Sequence, residues 1–105
     1  MMKPKLFQKV FYVTGLLDEN AKRELQRNSD QLISNLRTDE LIIKLFSARL
    51  ITVAEKAHLA QIPLERKKAE YLIDEVLMKG TYEHLEEFKK TLHSTCQSHL
   101  VNLIP

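Results

Sequence analysis

Tryptophan is absent from this 105-residue sequence, and glycine (two), proline (three) and cysteine (one) are scarce. So little turn-forming material excludes an all-β fold, whose repeated tight hairpins call for Gly, Asn-Gly or Pro at fixed places. The single cysteine, Cys96, excludes an intrachain disulfide and suits a reducing compartment. Long apolar runs are missing too. The longest, residues 6–17, is interrupted by Gln8 and Lys9 and falls short of the ~20 residues that span a bilayer. Nor is there an excess of one charge. The net is +2, and removing Lys3, Lys5 and Lys9 leaves −1 for residues 18–105, which is not the polycation that neutralises nucleic-acid phosphates.

What is present is helix-forming: Leu, Lys, Glu, Ala and Gln fill long stretches. With 44% hydrophobic and 29% charged residues, the expectation is one soluble helical domain. Residues 1–17 form a basic, apolar extension. Its positive-then-apolar order is that of a signal peptide, but a small-residue cleavage site is missing, and a mitochondrial presequence would favour Arg and Ser. Leu6, Val10, Val13 and Leu17 recur at helical spacing, so an extra turn or two of helix docking on the domain, or a tail ordered by a neighbour, is expected.

Residues 18–105 divide into six short helices with tight connections. The first, about 18–36, has Asp18 as N-cap and a bend at Asn28-Ser29-Asp30, whose side chains compete for backbone hydrogen bonds. Thr38 or Asp39 caps a second helix over 38–50, with Leu41, Leu45 and Ala48 facing inward. Thr52-Val53-Ala54-Glu55 matches a capping box, so a third helix starts at Val53 and ends before Pro63. The fourth runs to Gly80, read as a left-handed C-cap. The fifth starts at Thr81, and the last covers about 98–103. The expected core is Leu25, Leu32, Leu36, Leu41, Leu45, Leu59, Leu72, Ile73, Val76, Leu85, Phe88 and Leu92. The fold class is all-α, a six-helix antiparallel bundle with a bent first helix.

Five segments in this order carry a resemblance: LQRNSDQLISNL, LIIKLFSARLIT, IPLERKKAEYLIDEVLMKG, YEHLEEFKKTL and HLVNLIP. Together they resemble a caspase recruitment domain of the death-fold superfamily over 18–105, closest to those of apoptosome scaffolds and initiator caspases. The resemblance implies a cytoplasmic adaptor for homotypic assembly in apoptotic, inflammasome or other innate-immune signalling. Its partner would be another such domain, in a caspase, a scaffold or an NLR-type receptor, with weak self-association besides. It implies a basic face of Arg23, Arg27, Arg66, Lys67 and Lys68 and an acidic face of Asp39, Glu40 and Glu55. Ser29 stands where the family's helix-1 arginine is usual, and Lys44 and Lys56 interrupt the acidic face.

Other chemistry finds little footing. His93-x2-Cys96-x2-His99 has ligand residue types but lacks the second pair a structural zinc site needs, so no metal and no other cofactor is expected. Cys96 has no oxyanion site or orienting group identified beside it, and the two glycines stand alone, so neither a nucleophile nor a phosphate loop is read and no enzyme is expected. His58 and His84 are expected on solvated helix surfaces. The alternative reading is a small helical nucleic-acid-binding module built on Arg66-Lys67-Lys68, but Glu65, Glu70, Asp74 and Glu75 on the same helix oppose a phosphate backbone. Neither nucleic acid nor membrane is expected as partner. Three adjacent cations at a helix N-terminus oppose its dipole, which favours a binding role for them.

Overall fold

Asp18 sets the first helix of the computed structural model, which describes residues 16–105. Its carboxylate accepts the N–H of Ala21 at 2.8 Å and opens α1 (Glu19–Asn35). Then follow α2 (Asp39–Ser47), α3 (Val53–Ala60), α4 (Glu65–Tyr71), α5 (Tyr82–Ser94) and a C-terminal 3-10 helix (Ser98–Leu103). Six helices therefore make up the described residues. The only extended pairing among them is an isolated antiparallel bridge between Leu16 and Thr81. The expected extra turns at Leu6, Val10 and Val13 lie outside the described residues. Leu17 is not helical, but it is buried in the core.

All twelve residues expected in the core are buried, joined by Ile33, Ile42, Ile51, Leu77, Leu100 and Ile104 among others. The periodicity of α1 explains its share: Leu25, Leu32 and Ile33 fall on one face while Arg23, Arg27 and Asp30 fall outside it. α1 packs against α4 and the 3-10 helix, and α5 against α2 and the 3-10 helix. The C-terminus is tied in by polar bonds: Asn28 Nδ2 donates to the carbonyl of Leu103 at 3.1 Å, and Lys89 Nζ reaches the Pro105 oxygen at 2.8 Å.

α1 continues as helix through Asn28-Ser29-Asp30, where Ser29 Oγ donates back to the Gln26 carbonyl, a competing bond of the kind expected there. Several other local expectations are corrected. α2 ends at Ser47 rather than Leu50, and Ala48 is exposed. α4 passes at Leu72 into a π-helical turn (Leu72–Leu77) that sequence periodicity cannot distinguish from α. Gly80 is not left-handed. A Cβ there would lie 2.8 Å from the Val76 carbonyl and 2.9 Å from His84 Cγ, so glycine serves close approach. Among the described residues the left-handed ones are Arg49 (φ 65°) and Cys96 (φ 61°).

Those two residues close α2 and α5 by one device. After α2, Arg49 N–H bonds to Phe46 O and Leu50 N–H to Leu45 O. After α5, Cys96 N–H bonds to His93 O and Gln97 N–H to Leu92 O. Both are the paired 5→2 and 6→1 bonds of a Schellman ending, with a side chain where glycine is usual.

Candidate interaction surfaces

Two of the three basic residues of α1, Arg23 and Arg27, lie at helical spacing along one stripe. Arg23 and Arg27 are exposed and one turn apart, and Asp30 and Ser34 continue the row toward the C-terminus of α1. Arg66, in the first turn of α4, crosses onto that row: Nη1 donates to Ser34 Oγ at 3.0 Å and Nη2 meets Asp30 at 3.4 Å. Residues far apart in sequence thus form one cationic edge across two packed helices. The Arg66–Asp30 pair is open to solvent and contributes little to stability, so a partner carboxylate can displace it at small cost.

Lys67 and Lys68 diverge from that edge. Lys67 pairs with Glu70 on its own helix at 3.4 Å. Lys68 is half-buried and lines a groove of about 480 Å³ between α2 and α3, together with Asp39, Ile42, Ile43, Phe46, Val53 and Lys56. The structure therefore sets Lys68 and Asp39, expected on opposite faces, in the same recess. Glu40 stays exposed at the start of α2. Glu55 is occupied locally: its carboxylate accepts the N–H of Thr52 at 2.8 Å while Thr52 Oγ1 accepts that of Glu55, the capping box expected for α3. It borders a different recess, beside Arg49, Lys79 and His84.

His84 is half-buried, not simply solvated. Its Nδ1 accepts the Thr81 N–H at 3.2 Å and faces Thr81 Oγ1 at 2.8 Å, making a second capping box with histidine in the place of glutamate. His58 is exposed and rests against the Tyr71 ring, centroids 4.9 Å apart. In the His-Cys-His segment, His93 Nδ1 bonds to Ser98 Oγ, and Cys96 takes the left-handed turn. Among the described residues no group of three His, Cys, Asp or Glu is placed to hold a metal ion. No helix there is long and apolar enough to cross a membrane.

One arrangement escapes sequence reasoning altogether. Gln97, fully buried, grips the peptide of Arg37: Oε1 accepts the Arg37 N–H at 2.8 Å and Nε2 donates to the Arg37 carbonyl at 3.0 Å. The Arg37 guanidinium answers by donating to the carbonyls of Thr95 and Cys96. The next residue is pinned as well, since Glu65 Oε2 accepts the Thr38 N–H at 2.6 Å. Thr38 stands at the N-cap position of α2, but its hydroxyl makes no capping bond and is buried without a partner. Only a signal for the left-handed turn before Gln97 would have exposed this, and Cys96 is not a residue that gives one.

Two carboxyls are shifted in opposite senses. The Ala21 N–H, then the Tyr82 hydroxyl, hold Asp18 below its ordinary value of 3.8. Burial, then the neighbouring Glu70 and Glu75, push Asp74 above it.

The chain matches no protein-family model, no curated protein and no solved structure.

Proposed function

We propose that this chain is a non-enzymatic interaction module of the caspase recruitment type, which docks on another domain of that kind in cytoplasmic apoptotic or inflammatory signalling. The observation that carries the reading is the edge where Arg23 and Arg27 of α1 meet Arg66 of α4. Two helices that the resemblance makes the basic docking pair here pack together, with Arg23, Arg27 and Arg66 all exposed. Such a surface attracts an acidic partner face and orients it, and the attraction weakens with salt. The order of six helices around one apolar core cluster supports the helical-bundle fold that the reading requires.

The test is titration against purified recruitment domains from an initiator caspase, an apoptosome scaffold and an NLR-type receptor, at low and high salt, with duplex DNA alongside. At least one domain should bind, and Arg23→Glu with Arg27→Glu should weaken that binding by about tenfold or more with the thermal melt unchanged. Equal binding by the double variant, no binding to any domain, or tighter binding to DNA overturns the reading.

A further inference from the structure

α3 carries a different surface on each flank. On one side is the groove floored by Ile42 and Phe46, which two lysines, Lys56 and Lys68, and one aspartate, Asp39, also line. Ile43 and Val53, 58% and 72% exposed, leave its apolar wall open. On the other side, past His58 and its contact with Tyr71, is a recess lined by Glu70, Asp74, Glu75 and Lys67, in which Glu70 pairs with Lys67 and Glu75 with Lys79, leaving the Asp74 carboxylate without a cation among the described residues. Ile62 and Tyr71, both half-buried, are its apolar part. Among the described residues Lys56, Lys68 and Asp74 make no ion pair. The ammonium of Lys56 instead sits 5.0 Å from the Phe46 ring centroid.

We propose that this face pairs with a second copy of the chain about a two-fold axis, the lysine-rimmed groove of each copy meeting the carboxylate recess of the other. The two patches adjoin at α4, whose successive residues Lys67 and Lys68 line one each, and opposite patches so placed are self-complementary under such a rotation, each dimer making the contact twice. A second copy is the occupant that supplies both complements at once, an Asp74 without an ion pair for the lysines of the groove and a Lys56 or Lys68 without one for the recess. A lysine brought to the recess also relieves repulsion the monomer already carries, since burial, Glu70 and Glu75 raise the pKa of Asp74. The surface is separate from the arginine edge of α1, so the inference does not rest on the proposed function.

The experiment is sedimentation velocity over a concentration series at low and high salt on wild type, Lys56→Glu, Asp74→Lys and their equimolar mixture. Wild type should form dimers that dissociate with dilution and with salt, and each variant alone should be monomeric. The mixture should recover the dimer, because the two reversed charges then meet each other at one contact and the wild-type pair meets at the other. Val53→Asp, at an exposed site that the core does not need, should also abolish the dimer with an unchanged melt, while Arg23→Glu with Arg27→Glu should leave it intact. A wild type that stays monomeric up to about 0.5 mM, beyond the range of a specific contact, overturns the proposal. So do variants that dimerise like wild type, a mixture that does not recover, or species that grow past the dimer.

Discussion

The two Schellman endings have the same backbone and opposite consequences. After α2, the residue following left-handed Arg49 is Leu50, which is half-buried and leads into α3. After α5, the residue following left-handed Cys96 is Gln97, which is buried and reaches across to the peptide of Arg37. One junction releases the chain to an outlying helix whose only buried residue is Leu59. The other closes the bundle by joining the end of α5 to the turn between α1 and α2. A local motif sets the direction of the chain; the side chain placed at its exit decides whether that direction becomes a tertiary lock.

Replacing Gln97→Leu makes the second junction resemble the first and should have the largest effect. The Arg37 N–H and carbonyl both lose their partner, and unmet polar groups at a partly buried site cost about 2–4 kcal/mol together. Chemical denaturation would measure it, and a loss below about 0.5 kcal/mol would mean that the Gln97 bonds add nothing beyond packing. Thr52→Ala attacks the other region by removing the capping box of α3, at about 1 kcal/mol. Hydrogen exchange should then quicken in α3 while α5 keeps its protection, whereas equal quickening in both would show that α3 is not the loosely held element.

Smaller effects sharpen the comparison from the backbone side. Arg49→Gly and Cys96→Gly each relieve a left-handed side chain and should stabilise by up to about 1 kcal/mol, offset in part by the entropy glycine adds to the unfolded chain. Gly80→Ala should destabilise instead, although the helix-stop rule treats all three positions alike. The smallest effect is electrostatic. With its pKa raised on folding, ionised Asp74 disfavours the folded state at neutral pH, and that penalty is lost as pH falls through the raised value toward 3.8. Asp74→Asn should therefore melt higher than wild type at pH 7, the difference closing below pH 3.8. Asp18 has the opposite sign: its depressed pKa adds stability above 3.8 that is lost as pH falls through the folded value.

The helices and the core were legible because they depend on short-range rules. Leu25, Leu32, Phe88 and Leu92 recur at helical spacing, and Asp18, Thr52 and Thr81 stand before their helices in the pattern that satisfies orphan N–H groups. The helix ends were less so. The glycine signal pointed to Gly80, while the left-handed turns fell to Arg49 and Cys96, whose identities carry no turn preference. Of the residues expected to bind, Arg23, Arg27 and Arg66 are brought to one edge, whereas Lys68 and Asp39 share a groove and Glu55 is taken up in a cap.

Composition and periodicity alone determined that the chain is helical, where its helices start, and which residues leave water, since each of these is decided within a turn or two of helix. Tertiary structure alone decided that Gln97 would hold Arg37, that Glu65 would bond to Thr38, and that Lys56 and Lys68 would share a groove with Asp39. Those outcomes depend on which helices lie side by side, and that is a property of how the whole apolar surface packs rather than of any segment read by itself.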